Sequence, residues 1–335
     1  PDSIVEVSQP LIVFGDHTCA LKLIRRSFAQ GADGIKIIRD SGLADTDFLY
    51  QFLCFRPVVS EEYKRHFSIL KTKVVTYPDQ KSGEQQKIAD CLSSIDELIT
   101  LEAQKLDTLN THKKGLMQQL FPSEGETLPK LRFPEFRDAG EWESEKFGEI
   151  CKFVRVPFGG ALKKDIFVKN GFAVYEQSHA IYQNFDSFRY FITEEKFNEL
   201  KRFSVRPNDI IMSCSGTMGK FAVIPTDSKK GIINQALLKL TVNKRFVLDF
   251  VKFTLELPLN QEKLLSQSAG GAIKNVVGVG EMKEIGMYMP GIKEQQKIAD
   301  CLSSLDDLIT AQTQKLDTLK VHKKGLMQQL FPSVG

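Results

Sequence analysis

One stretch of forty residues occurs twice in this 335-residue chain, at 84–123 and again at 294–333. The first copy reads EQQKIADCLSSIDELITLEAQKLDTLNTHKKGLMQQLFPS. The second differs from it only at 95/305, 97/307, 101/311, 102/312, 103/313, 110/320 and 111/321. A near-identical unit that follows each of two unlike segments implies a two-fold, modular build. Whatever the chain folds into must accommodate that duplication.

Apolar or tolerated positions of the first copy fall at 88, 92, 95, 99, 102, 106, 109, 113, 116 and 120. The steps alternate four and three, the seam of a heptad helix. Two seam positions are polar in each copy, Glu102 and Lys113, then Gln312 and Lys323. Such positions loosen packing locally and can fix register or orientation. Pro122 and Pro332 stand where each helix should stop. Roughly 37 residues at about 1.5 Å each make a rod about 55 Å long.

A lone rod cannot bury its apolar stripe. The other copy is the obvious partner, and antiparallel packing is expected because it carries the two preceding segments to opposite ends. Periodicity by itself also fits a plain coiled-coil dimerisation element, the lesser reading. Core packing, however, needs only the apolar pattern, and the stretches QKLDTL and HKKGLMQQLFPS are kept as well. Both copies are therefore expected to present one outer surface to two copies of one partner.

Composition narrows the class. The chain is 42% hydrophobic, long enough for two domains with real cores, and has no run of about 18 apolar residues, so no membrane partner is expected. Its opening residues lack a basic stretch followed by an apolar one and do not read as a signal peptide. Six scattered cysteines without a C-x-x-C pair suit reduced, cytoplasmic thiols. Net charge is only +3. Basic clusters at 21–26 (LKLIRR), 163–164, 201–202 and 229–230 are either phosphate contacts or ordinary solvated lysines.

The chain divides into 1–83, a helical region at 84–121, a Pro- and Gly-punctuated linker at 122–143, a segment at 144–293 and a second helical region at 294–331. The long segment mixes β-type runs at 172–175, 209–214, 221–224 and 236–242 with helical stretches at 194–202 and 246–255, an α+β pattern. The unlike segments share a faint plan. PLIVFGDHTCALKLI, GADGIKII and DTDFLYQFL run parallel to DIIMSCSGTMGKFAVI, GIINQALLKL and FVLDFVKFTL. Each reads as strand, polar turn, strand, Gly-led strand, then helix. On that match the first segment has no counterpart to about 143–208, as if the chain began inside its first domain.

The turns at 209–217 and 13–18, GADGIKI at 31–37, LPKLRFPEF at 128–136 and EQQKIADCLSSIDELI opening a long helix together resemble the specificity subunit of type I restriction-modification systems. The resemblance spans essentially the whole chain. It implies two α/β target recognition domains separated by two long antiparallel conserved helices, 1–83 being the C-terminal part of the first domain and 144–293 the second. It also implies a non-catalytic subunit that reads a bipartite site in double-stranded DNA. Two methyltransferase subunits, which bring S-adenosylmethionine, would dock on the helices, and restriction/translocase subunits would join them. No cofactor is expected in this chain. Other readings are a coiled-coil interaction scaffold that never touches DNA, and a fragment of a rearranging specificity locus.

Signatures of catalysis are missing from the sequence. GTMGKF at 216–221 has neither the spacer nor the terminal Ser/Thr of a phosphate-binding loop. N-P-P-[FYW] and H-E-x-x-H are absent too. Base and phosphate contacts call for surface Arg, Lys, Asn, Gln or Ser on loops and helix tips. In the second segment these are Ser213, Ser215, Thr217 and Lys220 at the polar turn. A recognition loop is expected from Lys163, Lys164, Gln177, Ser178, His179, Tyr182 and Arg189, and a Gly-led loop carries Lys274 and Asn275. The first segment offers Asp16, His17, Thr18, Lys22, Arg25 and Arg26. A turn can also consume such groups on its own backbone.

Overall fold

Alternating apolar residues fold here as short strands and the 3-4 repeats as helices, as their periods dictate. A computed structural model describes residues 4–31, 34–60, 65–155, 162, 166–267, 274–276 and 278–332. The chain forms two compact units, Pro1–Leu109 with Leu308–Gly335, and Asn110–Asp307. Each unit therefore takes one unlike segment and a stretch of both repeats.

The first unit contains β1 (Ile4–Val5), β2 (Leu11–Gly15), β3 (Leu21–Ile24), β4 (Phe28–Ala29) and β5 (Ile35–Ile38). Strand β2 lies between β3 and β5, antiparallel to both, with Val13 opposite Lys22 on one side and Ile37 on the other. Helix α1 (Thr46–Phe55) follows, its start capped by the Asp45 carboxylate, which accepts from the N–H groups of Asp47 and Phe48. Then come α2 (Phe67–Lys71) and the first rod, α3 (Glu84–Leu120). Ile12 and Phe14 of the sheet, Phe48 and Phe52 of α1, and Ile88, Ala89 and Leu92 of the rod share one core.

The second unit begins with β6 (Glu143–Lys146), α4 (Phe147–Ile150), β7 (Cys151–Arg155), β8 (Phe172–Tyr175), α5 (Gln177–Tyr182), β9 (Phe191–Ile192) and α6 (Glu194–Glu199). Strands β10 (Asp209–Ser213), β11 (Phe221–Val223), β12 (Gly231–Ile233) and β13 (Leu237–Val242) lead to α7 (Leu248–Glu256) and α8 (Pro258–Leu264). After β14 (Leu265–Gln267), β15 (Lys274–Val276), α9 (Val279–Glu284) and β16 (Gly286–Met289) comes the second rod, α10 (Ile292–Leu330). One antiparallel sheet runs β11-β10-β13-β7; another runs β12-β8-β9, with β12 parallel to β8.

The triplet β11-β10-β13 followed by α7 repeats β3-β2-β5 followed by α1. Two details depart from expectation. GIINQALLKL is two strands rather than one, because Asn234 turns the chain: its side-chain oxygen accepts from the Ala236 N–H at 3.0 Å while its own N–H donates to the Tyr175 carbonyl. Residues 177–182, expected as a loop, are the helix α5, started by a reciprocal cap between Glu176 and His179.

The rods run antiparallel. In the first unit Lys323 Nζ meets Asp96 at 2.5 Å and Gln312 Nε2 meets the Glu102 carboxylate at 2.6 Å. In the second, Lys113 Nζ meets Asp306 at 2.5 Å. Residues 122–143 do not hang free. Leu131 N–H donates to the Gln119 carbonyl, Trp142 N–H to that of Thr127, and Arg132 makes a two-pronged pair with Glu294 at 2.8 Å on both arms.

The kept ends of the repeat have internal work. Gln85 accepts from the N–H of Asp45, the cap of α1, at 2.7 Å and donates to the Pro78 carbonyl at 2.7 Å. Its repeat equivalent Gln295 accepts from the N–H of Val247, the cap of α7, at 3.0 Å and donates to the Pro290 carbonyl at 2.8 Å. At the far ends, Phe331 sits among Phe48, Phe52 and Phe55 with ring centroids 5.4–5.6 Å away. Phe121 likewise stacks on Phe250 at 5.2 Å and meets Trp142 edge-on at 6.0 Å. Each rod thus starts by clamping one head and ends by plugging the core of the other. Part of the identity that suggested an outer surface is explained by this internal mounting.

Candidate nucleic-acid interface

The polar turn after β10 is built by its own side chains. Ser213 is fully buried; its hydroxyl donates to the Thr217 carbonyl at 2.7 Å and accepts the Lys220 N–H at 3.0 Å. Gly216 and Gly219 take positive φ, 58° and 72°, which lets the turn fold back so tightly. A side chain at Gly219 would also strike Gln261. With Ser213 spent inside, Ser215, Thr217 and Lys220 are left exposed at the rim. Cys214 behind them is buried, and burial pushes its thiol up to about 11, so it is inert at neutral pH.

Helix α5 adjoins this turn. The amide nitrogen of Gln177 lies 3.7 Å from where a Cβ on Gly216 would stand. Ser178 is exposed and Tyr182 is 76% exposed, so both face outward. His179 does not. It is buried, its Nδ1 bonded to the Glu176 N–H at 2.9 Å, with the ring stacked on Phe188 at 4.7 Å. Between α5, the turn and α8 opens a cleft of about 380 Å³ lined by Gln183, Lys220, Glu256 and Gln261 among others. Its lining is polar enough to take hydrogen-bonding groups.

Arg189 stands nearby in sequence, stacked over Tyr190 with its guanidinium 4.9 Å from the ring centre. Lys229 sits over Phe188 and Phe191, and Lys230 over Phe172 and Phe197, at 5.3–5.9 Å. The aromatic rings hold these cations by cation–π attraction. The pairing of Lys229 with Phe188 and Phe191 could be suspected only from the aromatic spacing of the segment. Lys163 and Lys164 lie outside the described residues. Lys274 and Asn275 are on β15, paired with β14, and their side chains are outside the described part.

The equivalent turn of the first unit closes β2 onto β3, with Cys19 at φ 54°. Asp16 is buried: its carboxylate accepts from the Phe67 N–H at 2.7 Å, and its backbone carbonyl is met by His66. Burial alone would raise its pKa, but the Phe67 and His66 bonds with Lys36 and Arg65 hold it below the usual carboxylate value. His17 is half-buried beside Gly34; Thr18 is exposed. Lys22 points outward midway along β3. Arg25 and Arg26 follow the opposite end of that strand from the turn, and Arg25 is held by Asp47 of α1. The structure therefore groups Thr18 with the turn and sets the arginines apart.

Two unlike heads, each containing a three-stranded antiparallel triplet with a polar turn, are mounted on copies of one antiparallel helix, which makes this a duplicated two-headed protein. Residues 139–321, more than half of the chain, match the family model described as the type I restriction modification DNA specificity domain. The chain belongs to that family. It is 24% identical over 256 residues to the type I restriction enzyme MjaVIII specificity subunit of Methanocaldococcus jannaschii, covering 74% of this chain and 59% of the relative. Against that organism's MjaX specificity subunit it is 26% identical over 252 residues, or 74% and 56%. The chain thus spans under two thirds of the length of these curated relatives.

Among solved structures, the S subunit of the type I restriction-modification system from M. genitalium superposes with a TM-score of 0.63 at 17% identity, covering 100% of this chain and 86% of that one. A chain from a study of complex assembly and conformational transition in the type I R-M system gives 0.56 at 15% identity, covering 99% and 84%. These likenesses concern the fold. Among the described residues, no helix is long and apolar enough to cross a membrane.

Proposed function

We propose that this chain is the sequence-reading subunit of a type I restriction-modification complex and carries no catalysis of its own. The observation that carries the reading is the repeated mount: one glutamine clamp and one phenylalanine plug hold each of two heads that differ in sequence. Two different readers on equal mounts suit a bipartite, asymmetric site in double-stranded DNA. Two equal rods suit two equal methyltransferase subunits, which bring S-adenosylmethionine and act on the bases; restriction/translocase subunits complete the assembly.

The DNA-facing groups in this reading are Ser178, Tyr182, Ser215, Thr217 and Lys220 of the second head, with Arg189, Lys229 and Lys230 as phosphate contacts. In the first head they are Thr18, Lys22 and Arg26. A net charge of only +3 leaves weak, salt-sensitive binding by the chain alone. A mobility-shift titration with and without the methyltransferase subunit tests this. Specific binding should emerge with the partner, and tight specific binding by the chain alone would contradict the division of labour. No binding in either case would favour a scaffold without DNA.

A further inference from the structure

The inter-rod contacts have an uneven information content. The pair Lys113–Asp306 becomes Lys323–Asp96 when each residue is replaced by its repeat equivalent. Any antiparallel pairing of two rods recreates these ion pairs, whether first with second, first with first or second with second. Residues identical in both copies are silent in the same way. Only the seven differing positions can tell the rods apart.

Five of those seven, 97/307, 101/311, 103/313, 110/320 and 111/321, are exposed in both copies. Position 95/305 exchanges isoleucine for leucine at a half-buried site, a change of shape with no change of polarity. Position 102/312 is different. Glu102 is 9% and Gln312 is 6% exposed, and the two residues face each other. Gln312 donates to the Glu102 carboxylate at 2.6 Å and to its backbone carbonyl at 2.9 Å, and Lys315 pairs with the other carboxylate oxygen. This contact maps onto itself under the repeat, so a rod paired with its own kind would set this residue against an identical one.

We infer that Glu102 and Gln312 make the two rods choose each other over their own kind on a second copy of this chain. Two first rods would oppose Glu102 to Glu102 in a buried seam, where like charges disfavour ionisation of both. Two second rods would oppose Gln312 to Gln312 and lose the charge-assisted bond and the lysine pairing. Lys315 and its equivalent Lys105 are kept in both rods, so the distinction lies at 102/312 itself: only the mixed pair sets an amide donor against the carboxylate, where two first rods would set a second carboxylate. The inference stands whether or not the heads read DNA.

The test uses the full chain in four forms: wild type, Glu102→Gln, Gln312→Glu and the double exchange. The charged groups facing position 102 are Lys315 across the seam and Lys105 on its own rod. In the wild type, hydrogen bonds from Lys315 and then Gln312 hold the Glu102 carboxyl below its usual value. That contribution is present above the ordinary glutamate range and is lost as pH falls through the depressed value. In Gln312→Glu the crowded carboxylates raise one value instead, so stability is lost as pH rises. The melting temperature of that variant should fall at neutral pH and recover on acidification.

The double exchange, which restores one Glu and one Gln with Lys105 in the place of Lys315, should regain the wild-type melting temperature. Glu102→Gln removes the charge mismatch from like pairing, and copies bearing two different tags should then co-purify several-fold more than wild type. Failure of the double exchange to rescue would overturn the inference. So would Glu102→Gln copies that stay as separate as wild-type ones.

Discussion

At the scale of single residues, this protein spends side chains kept in both repeats on mounting. Phe331 is only 1% exposed and touches three rings of α1, so truncation removes a plug rather than a surface group. Phe331→Ala should cost about 3–5 kcal/mol, read as a lower urea midpoint, with Phe121→Ala similar in size. Because each plug serves one head, near-ultraviolet dichroism should lose the signal of Trp142 only for Phe121→Ala. If Phe331→Ala disturbed Trp142 equally, the assignment of one plug to one head would fail. The residue scale is also where sequence reading was least able to choose. Asp16, His179 and Ser213 have the composition of DNA contacts, and in the fold all three are buried in hydrogen bonds to their own surroundings. Composition shows that a turn is polar; it does not show which polar atoms the turn consumes.

Elements were legible in proportion to their length and period. The rods could be placed almost to the residue because ten seam positions repeat with unbroken 4-3 spacing. Strands β8, β10, β11 and β13 were visible as apolar runs bounded by turn residues, and most of their residues are buried. Helix α5 was not visible, since six residues give less than two turns and its start depends on a His–Glu cap that no period announces. The internal role of Gln85 and Gln295 was hidden for another reason: their partners, Asp45 and Val247, lie 40 and 48 residues away. The rod-as-ruler reading makes its prediction at this scale. Removing one heptad from both rods shortens them by about 10 Å and keeps the seam in phase. Methylation mapping in cells carrying the methyltransferase should then show a shorter gap between unchanged half-sites. A changed half-site would remove the ruler.

At the scale of the molecule, duplication without symmetry of the heads is what makes the proposed reading specific. The core of each unit is closed by a rod end that is the same in both, while the strands, turns and clefts it supports are not. Under the proposed function such a build would separate affinity for a common partner from choice of sequence, with docking assigned to the rods and reading to the heads. It follows that one head can be changed without consequence for the other. Replacing residues 172–242, from β8 through β13, with the matching segment of another family member should alter one half of the recognised sequence and leave the other half and the gap intact. The boundaries fall outside the contacts of Gln295, Phe121 and Arg132 with Val247, Phe250 and Glu294, so the mount itself is preserved. Methylation mapping of the exchanged protein reads the outcome directly. A change in both halves would mean that the heads read DNA jointly, and one head could no longer be assigned to one half-site.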